Sequence, residues 1–188
     1  MTEGTAFADA TALGGWLRHN HATETELWVR LYRKGTGTPS VTWEDCVVQS
    51  LAWGWIDGLK RPFDDTSWLQ RLTPRKKGSS WSARNRAHAE RLIAEGAMSP
   101  AGLVHVERAR ADGRWEATYA GQAAMEIPAD FLAAVGADPL AKATFDSLNR
   151  ANLFAIYYRL VSAKSAKTRQ ARMEWLLAML ARGERIHG

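Results

Sequence analysis

The chain has 188 residues, 46% hydrophobic and 24% charged, with a formal net charge of +5 and a pI near 9.6. That balance suits one compact domain, or one domain with a helical extension, and favours an anionic partner without naming one. No stretch approaches the roughly 20 apolar residues of a membrane helix, the first twenty residues lack a signal-peptide pattern, and the single cysteine, Cys46, excludes an internal disulfide, so the expected compartment is the cytoplasm.

In chain order, Asp9 caps a first helix carrying Leu13, Trp16 and Leu17 at helical spacing. Residues 26–33 (ELWVRLYR) alternate, Leu27, Val29 and Leu31 against Trp28, Arg30 and Tyr32. Period two predicts a strand with one aliphatic and one aromatic-cationic face. The turn-rich KGTGTPS follows. Thr42 with Asp45 then forms a capping box for a helix bearing Val47, Val48, Leu51, Ala52 and Trp55 on a buried stripe. Short strands over 55–62 and 67–73 flank the turn PFDDTS. On the second, Trp68, Gln70 and Leu72 face one way and Leu69, Arg71 and Thr73 the other.

From Ser82 onward the chain reads as helical, with Ser82 and Ser99 as N-caps and Pro100 in a first turn. Gly96 and Gly113 are C-terminal stops. Further helices open near Pro128 and at Asp138–Pro139. The last carries Met173, Leu176, Leu177 and Leu180 and stops at Gly183. Apolar periodicity fades over 119–126. The predicted fold is α+β: a small three-stranded antiparallel sheet packed with helices over 1–118, then a helical C-terminal extension over 127–188.

Six of the nine tryptophans lie between Trp28 and Trp81, and the stretch 53–85 interleaves them with arginines. Arg71, Arg75, Lys76 and Lys77 precede the helix start at Ser82, where unpaired N–H groups and a positive dipole end favour anions. The candidate ligand-binding residues are Trp55, Asp57, Arg71, Thr73, Arg75, Trp81 and Asn85. Guanidinium forks and indole walls suit a small molecule with an aromatic body or an anionic group. Sheet tryptophans are more often core than ligand wall, and an Arg–Asp pair is more often structural than catalytic. No catalytic residue is assigned.

Other features carry less. His19 and His21 lie close to Glu24 and Glu26, but no third ligand completes a metal set, so no metal and no cofactor is expected. Cys46 sits beside Val47 and Val48 and reads as a small core residue. KGTGTPS lacks phosphate-loop spacing. The C-terminal run with Lys164, Lys167, Arg169, Arg172, Arg182 and Arg185 is read first as the solvated face of an amphipathic helix. As a nucleic-acid surface it ranks lower.

Several motifs together resemble the YdeI/OmpD-associated, or bacteriocin-protection, family. They are Trp16-Leu17 with Asn20-His21, LWVRLYRKGTGTPSVTWED, GWIDG, RLTPRKKGSSWSARN, MSPAG and the late ARGERIH. The matching motif positions include His21, Lys34, Glu44, Trp55, Asp57, Arg71, Thr73, Arg75, Trp81 and Asn85. The resemblance implies an α+β part with a helical extension and an association with envelope stress and antimicrobial-peptide tolerance; it implies no reaction. Two functions are therefore expected in order. The first is binding of a small anionic or aromatic molecule in a Trp/Arg-lined pocket, with or without catalysis. The second is binding of a protein or nucleic-acid partner through basic helices.

Overall fold

Four strands form one mixed sheet in the order β1-β2-β4-β3: β1 (Thr5–Ala6), β2 (Leu27–Tyr32), β3 (Trp55–Pro62) and β4 (Ser67–Pro74). The computed structural model describes residues 3–187, and the chain divides into two compact units between Thr118 and Tyr119. The fold class is α+β, but the expectation of three antiparallel strands is corrected. A fourth strand, β1, pairs in parallel with β2, Thr5 opposite Val29 and Ala6 opposite Arg30. Two residues are too few to display period-two alternation, so this strand has no signature in the sequence.

The register fixes the two faces of the sheet. Leu27, Val29 and Leu31 stand opposite Leu72, Gln70 and Trp68. With Leu13, Leu17, Cys46 and Trp55 they form the first apolar core, under α1 (Ala10–Asn20) and α2 (Trp43–Ala52). The alternate residues, Trp28, Arg30 and Tyr32 with Leu69 and Arg71, belong to the other face. β3 slips register between Asp57 and Lys60. Buried Gln70 answers this bulge, its Nε2 donating to the Gly58 carbonyl at 3.0 Å. Such a bulge re-aims the strand next to it, here at Asp57.

Helix α2 starts at the Thr42–Asp45 capping box and is buried on two sides. Cys46 faces the sheet core, whereas Val47, Leu51 and Ala52 join a second core. That core includes Trp81, Trp115 and residues of α3 (Ala83–Ala94) and α4 (Pro100–Ala111). The Ser99 amide at the head of α4 donates to the Ala52 carbonyl at 3.0 Å, closing the end of α2. Gly102 permits this approach. A Cβ there would lie 2.6 Å from both the Leu51 and Ala52 carbonyl oxygens.

The second unit holds α5 (Ala129–Gly136), α6 (Pro139–Asp146), α7 (Arg150–Val161) and α8 (Ala166–Ala181) around a core containing Phe131, Ile156, Leu176 and Leu180. Buried Asn152 ties down the chain end, its Oδ1 accepting the amides of Ile186 and His187 at 3.1 and 2.9 Å. Among the described residues no helix is long and apolar enough to cross a membrane.

Two glycine substitutions have opposite expected signs. Gly102→Ala should lower stability by about 1–3 kcal/mol, because backbone must move to admit the methyl. Gly15→Ala, in α1 with no atom within 4 Å of its would-be Cβ, should raise stability by ~0.5–1 kcal/mol. Urea midpoints of the two variants against the parent chain check both.

Candidate functional site

The seven residues singled out by sequence do not share one cavity wall. Trp55 is 1% exposed and packs edge-on to Trp16, ring centroids 6.0 Å apart. Its indole N–H donates to the His21 carbonyl at 3.1 Å. Trp81 is 2% exposed and belongs to the second core, 4.9 Å from Trp115. Buried Arg75 lies over Trp81 at 3.7 Å and donates to the Ser80 carbonyl at 2.6 Å. A desolvated guanidinium over an indole is favourable by on the order of 2 kcal/mol, so this pair helps hold the loop before α3 in place.

Arg71 and Thr73 occupy the other face of the sheet. Arg71 pairs with Glu26 at 2.7 Å, half exposed. The aromatic-cationic face read from ELWVRLYR is present there. Arg61 stacks on Trp28 at 4.4 Å, and Arg30 lies 4.9 Å from the Tyr32 ring and 4.4 Å from Phe63. Asp64 and Glu26 neutralise part of this charge. Thr66 and Ser67 donate to Asp64, which with the nearby Arg30 pulls its carboxyl down to about 2.

Asp57 belongs to a different group, and Asn85 follows Arg84 in the first turn of α3. The Trp43 indole, at the first position of α2, donates to Asp57 Oδ2 at 3.2 Å. Arg84, in the first turn of α3, stacks on the Trp43 ring at 4.4 Å and reaches Glu44 at 3.5 Å. Arg84 Nε also donates to His88 Nε2 at 3.3 Å. Asn85 gives its amide to the Ser82 cap at 3.1 Å. The first turns of α2 and α3 thus place an indole, a guanidinium and a carboxylate in contact. The spacing of Arg84 and His88, four apart on one helix, carries them to the same face.

The electrostatics of this group are unusual in two places. Burial pushes the Asp57 carboxyl above its ordinary value, against the lowering effect of the Trp43 hydrogen bond and of Arg84 and Arg75. Burial and then Arg84 push His88 below its ordinary value, with Glu44 opposing. His88 is therefore neutral at pH 7, and with Nε2 accepting from Arg84 its proton sits on Nδ1. Cys46 behaves as a core residue; burial, then Asp45 and Asp57, push its thiol up to about 12. His19 and His21 bond through Nδ1 to carbonyls of their own helix, Gly15 at 2.7 Å and Leu17 at 3.0 Å. No three potential metal ligands gather among the described residues.

Sequence reasoning named Asp57 and Asn85 but not Trp43, Arg84 or His88 as their company. The available signal was the pair of helix starts, TWED and SARN, whose first turns carry Trp43 and Arg84. What brings them together is the packing of α2 against both α3 and β3, a tertiary arrangement that no local pattern encodes.

Substitutions separate packing from surface. Trp81→Ala should cost ~3–5 kcal/mol in denaturant unfolding, whereas Arg71→Ala, which removes a half-exposed ion pair, should cost less than about 1 kcal/mol. Asp57 provides a test with a sign. Its folded value is raised, so its favourable contribution is complete below the unfolded value near ~3.9 and is lost as pH rises through the folded value. Asp57→Asn keeps an acceptor for Trp43 and cannot ionise. Relative to the parent, this variant should gain stability as pH is raised from 4 to 7, read from urea unfolding at several pH values.

Two families match different parts of the chain. The model of the bacteriocin-protection, YdeI or OmpD-associated family matches residues 124–183. Over that C-terminal part the resemblance read from the sequence is shown. No curated protein and no solved structure matches the chain. The model described as Domain of unknown function (DUF8412) matches residues 5–105, which include the sheet, α1 to α3 and the Trp43–Asp57–Arg84 group. The chain belongs to the family described by that domain of unknown function, and carries the bacteriocin-protection, YdeI or OmpD-associated match in its C-terminal part.

Proposed function

We propose that the N-terminal unit binds a small aromatic or anionic molecule at the first turns of α2 and α3, on Trp43, Asp57, Arg84 and Asn85. One observation carries this reading: an ionisable carboxylate with a raised pKa, Asp57, held by an indole that is itself 37% exposed and stacked with a guanidinium. Perturbed titratable groups beside exposed aromatic surface are a physical mark of a binding site. In this arrangement the Trp43 ring supplies a stacking surface, Arg84 an anion contact, and Asp57 an acceptor for an N–H or O–H on the ligand. Trp81 and Arg75 serve beneath it as packing that fixes the α3 start.

The rival reading, a partner bound through basic helices, has two of its six named cations already engaged in ion pairs. Arg169 is held by Asp130 in two contacts of 2.6 and 2.8 Å, and Arg182 by Glu184 at 2.8 Å. The association with bacteriocin protection comes from the family description of the C-terminal match. Together with a cytoplasmic location it forms part of this proposal.

A thermal-shift screen with aromatic carboxylates and nucleoside monophosphates tests the reading. At least one compound should raise Tm, and Trp43→Ala and Arg84→Gln should each weaken it by about tenfold, a loss of ~1.4 kcal/mol. A hit unaffected by both substitutions, or a screen without hits, overturns it.

A further inference from the structure

The helical unit contains an open cleft of about 650 Å³ between α7 and α8. That volume falls within the ~300–1,000 Å³ of small-molecule sites. Tyr158 and Arg159 line it from the last turn of α7, with Ser162 at the helix end; Lys167, Arg172 and Trp175 line it from α8. Spacings near three and four residues carry the α8 side chains to one face of that helix.

The chemistry of the lining is one-sided. Three cations and two large rings face the cleft, and no carboxylate does. Among the described residues none of Arg159, Lys167 and Arg172 forms a salt bridge, whereas eight other arginines do. Arg172 Nη1 donates to the Arg159 carbonyl at 2.7 Å and to Ser162 Oγ at 3.3 Å, and Arg159 Nη1 to the Ala155 carbonyl at 3.2 Å. These bonds to neutral oxygens position the guanidinium groups without cancelling their charge. The first turn of α8 begins at the Ser165 cap beside them, adding the positive end of a sixteen-residue helix.

The rings are held differently. Tyr158 packs edge-on to Tyr119 at 4.9 Å and stacks with Phe154 at 6.3 Å, a fixed wall. Trp175 is 50% exposed, although the neighbouring Leu176 is fully buried. Trp175 is thus half in water, on the lining of a cleft whose cations no carboxylate pairs.

We infer that this cleft is a binding site for a planar aromatic molecule that carries a carboxylate or a phosphate. Its ring covers Trp175 and Tyr158, and its anionic group meets Lys167 and Arg172 at the start of α8. The inference is independent of the Asp57 proposal, since no residue is shared.

Isothermal titration of the full chain with 1-naphthoate, adenosine 5′-monophosphate, and neutral 1-naphthylmethanol tests it. One or both anions should bind, and which one binds assigns carboxylate or phosphate as the group recognised. Lys167→Gln, at an exposed position, should weaken binding several-fold, and Trp175→Ala by about tenfold or more. Arg172→Gln should act in the same direction where circular dichroism shows that it folds. Lys77→Gln, a solvated turn residue of the first unit, should change nothing. Absence of binding by both anions, equal binding of the neutral alcohol, or affinities unchanged by Lys167→Gln and Trp175→Ala would each overturn the inference. Loss with Trp43→Ala in place of Trp175→Ala would do so too, while leaving the first proposal standing.

Discussion

Helix α2 is the constraint on which the N-terminal unit depends. Among the described residues it is the one helix that contributes to both apolar cores there, through Cys46 on the sheet side and Val47, Leu51 and Ala52 on the other. Its start is fixed by a reciprocal capping box and its end by the Ser99 amide on the Ala52 carbonyl. Directly after it, Gly54 turns at φ +74, a conformation costly for other residues, and a Cβ there would lie 2.7 Å from the Ala101 carbonyl. The close seating of α4 on this junction sets where β3 begins, and thereby where Asp57 emerges. A helix that belongs to two cores couples them, so loss of either core is felt in the other.

Much of this unit was legible locally. The caps at Asp9, Thr42, Ser82 and Ser99 are used as the sequence implies, each accepting from the amide three residues on. The alternation in ELWVRLYR became a strand whose aliphatic side is buried and whose cationic side is not. β1 was not legible, because a two-residue parallel pairing is decided by its neighbour rather than by its own pattern. The convergence of Trp43, Asp57 and Arg84 was not legible either. It depends on α2 packing against both α3 and β3, which joins residues far apart in sequence.

Arginine and tryptophan do two kinds of work here. Buried Arg75 on Trp81 is structural, a cation sealed against a ring inside the second core. Arg84 lies over Trp43 at 4.4 Å nearer the surface, where the partly exposed ring also donates to the half-buried Asp57. Composition could not separate the two, since both pairs come from the same tryptophan-rich stretch. Burial separates them: Trp55 and Trp81 are sealed in the two cores, whereas Trp43 keeps 37% of its surface exposed.

The lone thiol has a consequence for the chemistry of the whole chain. Cys46 is fully buried on α2 with its pKa pushed up to about 12. Thiolate, the nucleophile that attacks disulfides and peroxides, is then disfavoured at neutral pH. Peroxide or a mixed disulfide reaches this sulfur only when the helix opens. Burial and a raised pKa thus both disfavour thiol–disulfide exchange at Cys46 in the folded protein.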